Sequence, residues 1–203
     1  MFQLSTVTEF KRLILDIIFP RQCLGCKILL SGNDKSYVCS VCLASIKIKN
    51  NFACAFCGSP VAVGMTCPFC KSDHFLDRLL VATSYENPLV EKILKTMKYR
   101  FVKTLADDIA ELTAKYLEYR FSSDLNIDRD LTLIVPVPLH RRRLNWRGFN
   151  QAEIIGSKIS SYFQLNFQNI LERNRNHVPQ AQISDRQSRI ANAAGIFKCA
   201  KTE

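Results

Sequence analysis

Eight cysteines in the first third of the chain fall into four pairs, each with two residues between: Cys23/Cys26, Cys39/Cys42, Cys54/Cys57 and Cys67/Cys70. Two intervening residues let a tight knuckle aim both sulfurs at one metal ion, while backbone N–H groups of the turn support the thiolates. Two knuckles close a tetrahedral four-sulfur site, with about 2.3 Å from sulfur to metal and no open position for a substrate. The chemistry expected is structural zinc binding at two sites. Paired in order, these are Cys23, Cys26, Cys39 and Cys42, then Cys54, Cys57, Cys67 and Cys70; an interleaved pairing is compatible with the same spacing. Redox chemistry is the competing use of Cys-x-x-Cys, but four such pairs lack the strand–helix setting it needs. A disulfide framework rarely repeats this spacing. Gly25 and Gly58 suit knuckle turns that need unusual backbone angles. Residues 37–38 and 52–53 read as short strands leading into knuckles. Cys199 stands apart, a buried or incidental thiol.

A second chemical cluster lies at 139–150, Leu-His-Arg-Arg-Arg-Leu-Asn-Trp-Arg-Gly-Phe-Asn. His140, Arg141, Arg142, Arg143 and Arg147 concentrate positive charge, and Trp146, the only tryptophan, offers a stacking face. Arginine forks grip phosphate oxygens in pairs, and an aromatic among them can hold a base. The segment follows an apolar run at 131–137, ended by Pro136 and Pro138, and precedes a helix expected over 151–163. Asn150 caps that helix, with Glu153 at the reciprocal position. Strand, basic loop and helix start in succession is how α/β proteins build anion sites. Neither His74 nor His177 has an evident partner, and no catalytic residue is identified.

Positioning these groups requires the rest of the chain. At 203 residues it accommodates a small domain and a medium one, and 47% hydrophobic with 23% charged residues is the composition of a folded protein. The net charge of +10 is uneven. Residues 1–72 carry 8 Lys/Arg against 3 Asp/Glu, 131–203 carry 11 against 4, and 73–130 carry 9 against 11. Basic ends of this kind suit a polyanionic partner, although they also serve solubility. No apolar run is long enough to span a bilayer, and a cytoplasmic location is expected. Residues 1–19 read as an amphipathic helix, with Thr6 and Glu9 at capping-box spacing and Phe10, Leu13, Ile14, Ile17 and Ile18 on one face. The zinc module is expected over 20–72, with metal binding supplying much of its folding energy. Beyond it the texture is α/β: a strand at 78–85, a helix opened by Asn87 and Pro88, a second helix over 103–119, a polar loop at 124–130, and the strand at 131–137, almost continuously apolar as in a parallel sheet. The helix after Asn87 buries Leu89, Val90, Ile93, Leu94 and Met97 and turns Lys92, Lys95 and Lys98 outward.

Pro-Val-Pro-Leu-His-Arg-Arg-Arg-Leu-Asn-Trp-Arg-Gly-Phe-Asn-Gln-Ala-Glu (136–153), behind paired Cys-x-x-Cys knuckles, resembles the ComF family of bacterial competence proteins. Gln180, Arg186, Arg189, Asn192 and Phe197 are similar to that family's next block. The resemblance implies a double zinc ribbon followed by a type I phosphoribosyltransferase-like parallel-sheet domain over 73–203, and a role in DNA uptake during natural transformation. It also implies single-stranded DNA, a competence helicase and other DNA-processing proteins as partners. The pyrophosphate- or nucleic-acid-binding set is His140, Arg141, Arg142, Arg143, Trp146, Arg147, Gly148, Asn150 and Gln151. The family continues into two adjacent acids and a Thr-Thr-Gly turn that hold a ribose 5′-phosphate. No such element occurs within these 203 residues, and Asp107–Asp108, inside a helical pattern, does not replace it. The resemblance thus implies a C-terminally incomplete domain. Phosphoribosyl pyrophosphate with Mg²⁺ becomes the expected ligand only of a form that carries the missing turn. A zinc-ribbon interaction module is the remaining alternative.

Overall fold

A computed structural model describes residues 20–30, 36–123 and 127–200. The helix expected over 1–19 and the first part of the loop expected at 124–130 lie outside these residues. The chain divides into two compact units, Met1–Thr96 with Glu111–Asn126, and Met97–Ala110 with Ile127–Glu203. Helices are the main regular elements of both; among the described residues the first unit has only isolated bridges, and the two small sheets lie in the second.

The first unit carries the four knuckles. Knuckles one and three are the same structure 31 residues apart. Lys27 N–H donates to the Cys23 carbonyl at 3.1 Å and Gly58 N–H to that of Cys54 at 3.0 Å. Single bridges, Gln22 with Leu29 and Ala53 with Pro60, close each loop. Knuckles two and four instead start short helices, α1 (Ser40–Ala44) after Cys39 and α2 (Pro68–Lys71) after Cys67. Of the two strand pieces expected, Ala53 makes a bridge, whereas residues 37–38 form a bend. Gly58 has the left-handed backbone expected of it (φ 78°), but Gly25 does not; the equivalent residue of the first knuckle is Lys27 (φ 68°). Gly25 is required for space, since a Cβ there would sit 2.7 Å from Cys42 Sγ.

The strand expected at 78–85 does not form. Its residues make one bridge, from Arg78 to Met65, a bond from Leu79 N–H to the Gly64 carbonyl (2.9 Å) on the second ribbon, and a bond from Lys49 N–H of the joining segment to the Ala82 carbonyl (2.9 Å). Pairing is spread over separate partners, so no ladder develops. Helix α3 (Pro88–Tyr99) starts as its cap predicts: Asn87 Oδ1 accepts from Leu89 and Val90 N–H at 3.0 and 3.3 Å. Val90, Ile93 and Met97 are buried, while Leu89 and Leu94 are half-buried. Helix α4 runs over Leu105–Ser123, shifted from the expected 103–119. Asp107 and Asp108 occupy its first turn, where the helix dipole favours acids.

In the second unit the apolar run at 131–137 contributes only β1 (Leu133–Ile134). The basic segment is a helix, α5 (Arg141–Arg147), rather than a loop. Helix α6 (Gln151–Phe163) then leads to β2 (Asn166–Phe167), which pairs in parallel with β1. Gly156 of α6 lets the helix lie close on both strands; a Cβ there would be 3.2 Å from Phe167 Cε2 and 3.3 Å from Ile134 Cγ2. An antiparallel pair, β3 (Leu171–Arg173) with β4 (Phe197–Cys199), brackets helix α7 (Arg186–Ala193). Gln180, Arg189 and Asn192 lock the segment before α7 onto it, through bonds to the carbonyls of Arg189 (3.2 Å), Ile183 (2.7 Å) and Val178 (3.1 Å) respectively. Cys199 is exposed, not buried.

Candidate metal centre and basic helix

The sulfurs assemble in sequence order: Cys23, Cys26, Cys39 and Cys42 form one quartet and Cys54, Cys57, Cys67 and Cys70 the other, with each quartet's sulfurs all within 4.8 Å of one another. The interleaved pairing is thereby excluded. Cys26 and Cys39 Sγ are 3.7 Å apart, and so are Cys57 and Cys67 Sγ. A tetrahedral ZnS₄ unit requires an S···S separation of about 3.8 Å. These spacings match that requirement, and a disulfide bond would have to be far shorter. Two structural Zn²⁺ ions therefore fit the two quartets.

The environment is that of thiolate ligands. Cys39 N–H donates to Cys23 Sγ at 3.3 Å, Cys42 N–H to Cys39 Sγ at 3.4 Å, and Ser59 Oγ lies 3.3 Å from Cys57 Sγ. Burial works against a charged Cys23, yet the N–H groups of Cys39, Cys26 and Gly25 bring its pKa down to about 6. The N–H groups of Cys57, Cys67 and Phe56 bring Cys54 to about 6 as well, and the Ser59 hydroxyl lowers Cys57. The opposite holds for Cys42, pushed up to about 12 by the sulfurs of Cys39 and Cys26, and for Cys70, pushed up to about 12 by burial and then by its neighbouring sulfurs. In each quartet hydrogen bonds to neighbouring sulfurs, together with burial, favour the protonated form of one thiol. A divalent cation replaces those protons, so metal uptake is coupled to proton release.

Arg120 of α4 supports the first unit, and nothing in the pattern of cysteines or apolar residues signals it. It is only 3% exposed. Its Nη2 donates to the Lys49 carbonyl at 3.0 Å and to Asn50 Oδ1 at 3.1 Å, on the segment joining the two ribbons. Its guanidinium lies 4.3 Å from the Phe52 ring centre and about as near those of Tyr119 (5.0 Å) and Tyr116 (5.2 Å). Lys92 is likewise engaged, donating to the Leu24 carbonyl of the first knuckle at 2.7 Å, and Lys95 pairs with Glu91 at 2.6 Å. Of the basic ridge expected to face solvent on α3, Lys98 is half-buried.

On the basic helix the nine expected residues separate into two groups. His140 Nδ1 caps α5 by accepting from Arg142 N–H at 3.2 Å, and Gly148 ends it in the left-handed region. Asn150 caps α6, accepting from Ala152 N–H at 3.1 Å and donating to the Val137 carbonyl at 3.1 Å. Glu153 accepts from Asn169 Nδ2 at 3.1 Å. Arg143 donates to the His177 carbonyl at 2.9 Å, and Arg147 to Gln151 Oε1 at 2.7 Å. These groups shape the segment. Arg141, Arg142 and Trp146 are exposed, Trp146 to 61% with one edge against Phe101 at 4.8 Å between centroids. Arg142 and Trp146, four residues apart, share a helix face. Burial and then the charges of Arg142, Arg173, Arg143 and Arg141 hold His140 below the usual histidine range.

Residues 14–71 match the family described as "Double zinc ribbon domain". Over 187 residues the chain is 28% identical to "Competence protein F" of Haemophilus influenzae, an alignment covering 88% of this chain and 77% of that protein. No solved structure matches. Among the described residues no helix is long and apolar enough to cross a membrane.

Proposed function

We infer that this ComF-family protein, which carries a double zinc ribbon, serves bacterial competence by binding single-stranded nucleic acid through α5. The observation that carries the reading is the pairing on one short helix of exposed Arg141 and Arg142, neither with a carboxylate partner among the described residues, with a largely exposed Trp146. Arginine neutralises phosphate and tryptophan stacks on a base, a combination that tolerates any sequence. The relative's name speaks to competence, and DNA uptake is the step in which such a surface is useful. The two ribbons act as a metal-built scaffold in this reading, with all four positions of each metal taken by protein. The parallel pairing of β1 and β2 through α6 supports a phosphoribosyltransferase-like plan for 73–203. A competence helicase and other DNA-processing proteins are the partners proposed with it.

Trp146, as the only tryptophan, reports binding directly. A labelled 12-nucleotide strand should quench its fluorescence, with an affinity that falls steeply with salt. The R141A/R142A double variant should bind more weakly and show a shallower salt slope. Unchanged affinity and slope would remove the nucleic-acid reading and leave the interaction-module alternative. Phosphoribosyl pyrophosphate, tested in parallel, would favour the enzyme-like alternative if it bound at micromolar concentration.

A further inference from the structure

Among the described residues of the second unit, two other than glycine hold a left-handed backbone, Gln164 at φ 56° and Phe101 at φ 58°. Such a backbone crowds any side chain, and for a bulky one it is rare and costly. Gln164 has a local reason, since it ends α6 and is itself exposed. Phe101 stands two residues beyond Tyr99, the last residue of α3, where a left-handed residue commonly closes a helix. Glycine, or sometimes asparagine, normally takes that position. The turn is thereby explained, but the phenylalanine is not. Nor does its ring serve the core, for Phe101 is 38% exposed.

What the ring does is meet Trp146. The two centroids are 4.8 Å apart and the planes cross at 87°, an arrangement that aromatic rings favour over a face-to-face sandwich. The helix that carries Trp146 offers it no core, because α5 is seven residues long and buries none of them. A large side chain on such a helix exchanges rotamers in water unless something beside it prevents this. Each rotamer that must be frozen on binding subtracts from affinity. Contact with Phe101 removes that freedom in advance. It does so without covering the indole, which stays largely exposed beside Arg142 on the same helix face.

We propose that Phe101 is a positioning residue for base recognition, holding the indole of Trp146 in the orientation in which an unpaired base stacks on it. This deepens the reading of α5 as a nucleic-acid surface and rests on it. Phe101 is uncharged and cannot neutralise a phosphate, so its contribution belongs to the base and not to the sugar–phosphate backbone. The strained turn follows from the same role. A glycine at position 101 would turn the chain at lower cost but leave the indole loose, so local stability is given up for a preset stacking face.

The test is equilibrium binding of a labelled oligothymidylate, and of an abasic strand of the same length, to the zinc-loaded full chain as wild type, F101G and F101Y. F101G removes the ring and suits the backbone, so the relief of strain offsets the lost ring pair and its thermal midpoint should stay near that of the wild type. Its affinity for oligothymidylate should still fall about 2- to 10-fold, the equivalent of one more side chain ordered on binding. The salt slope should not change, because no phosphate contact is lost. On the abasic strand F101G and the wild type should bind alike, and F101Y, which keeps the ring, should match the wild type on both strands. Time-resolved fluorescence anisotropy of Trp146, the only tryptophan, should show a freer indole in F101G without ligand. Wild-type protein that fails to bind oligothymidylate overturns the nucleic-acid reading as a whole. With that binding intact, an F101G protein of wild-type affinity, or one whose indole is no freer, overturns the role of Phe101 alone. An equal loss on both strands does the same, since it would place the effect on the backbone contacts or the fold.

Discussion

Replacing Arg120 by alanine removes the one buried cation among the described residues of the ribbon unit, and a lower bound on the cost can be worked from its contacts. Two hydrogen bonds are lost, to the Lys49 carbonyl and to Asn50 Oδ1. Both acceptors belong to exposed residues and regain water, so each bond is worth about 1 kcal/mol, below the usual value for a charged donor, and the two together about 2 kcal/mol. The guanidinium over Phe52, with Tyr116 and Tyr119 beside it, adds roughly 1 kcal/mol for a desolvated cation–π group. The sum, about 3 kcal/mol, equals roughly two decades in an equilibrium constant. In a chain of this length it corresponds to a fall in thermal midpoint of about 6–12 °C. R120A should therefore unfold earlier when zinc-loaded, and surrender metal to a chelator at markedly lower chelator concentration. R120M, which keeps the packing on the rings and loses the hydrogen bonds, should fall between R120A and the wild type. Thermal unfolding followed by circular dichroism, together with chelator titration against a zinc-sensitive dye, supplies both readings. A midpoint for R120A within 1–2 °C of the wild type would refute the assignment of Arg120 as the tie between the ribbons' joining segment and α4.

Elemental analysis should find two zinc ions per chain, and G25A should reduce the count to one, because its Cβ would press on Cys42 Sγ and leave the second quartet untouched. G58A, with open space around its Cβ and only a left-handed backbone to strain, should keep both metals at a cost of about 1–2 kcal/mol; equal zinc loss in the two variants would contradict this. G64A should destabilise the second ribbon more than G58A, since its Cβ is directed onto the Leu79 carbonyl as well as carrying a positive φ, and differential scanning calorimetry would rank the two. The depressed pKa of His140 sets a pH dependence. The unfolded chain takes up this proton near pH ~6.5 and the folded chain only at lower pH, so stability falls on acidification through that window. H140Q should lose part of the drop between pH 7.5 and 5.5, as read from Trp146 fluorescence during unfolding; an identical drop in the variant would show that burial and the neighbouring arginines do not depress His140.

The cysteines were the most legible part of the molecule because their function is set by local spacing. Two residues between sulfurs define a knuckle whatever surrounds it, and the sequential order of the knuckles proved sufficient to pair them. Helices α3 and α6 were equally legible, since Asn87 and Asn150 cap them by contacts within three residues. Residues 78–85 misled because their composition suits a strand, but a strand also needs a neighbour of matching length, and this segment's partners are divided between the second ribbon and the segment joining the ribbons. Helix α5 went unread for the opposite reason. Its seven residues carry no apolar periodicity, and a histidine cap and a left-handed glycine, both local devices, make it a helix. Arg120 lies about 70 residues from the atoms it holds. Nothing in its neighbourhood on α4 distinguishes it from a solvated arginine, so it could not be found without the fold.

That separation also orders events during synthesis. All eight ligands have been translated by residue 70, whereas the arginine that fixes the joining segment follows about 50 residues later. At translation rates of about 5–20 residues per second, the delay is roughly 3–10 s. A nascent chain therefore passes through an interval in which both quartets can close on metal while the linker between them is still untethered. Ribosome-bound chains halted before Arg120 emerges should yield zinc to a chelator more readily than chains halted well beyond it.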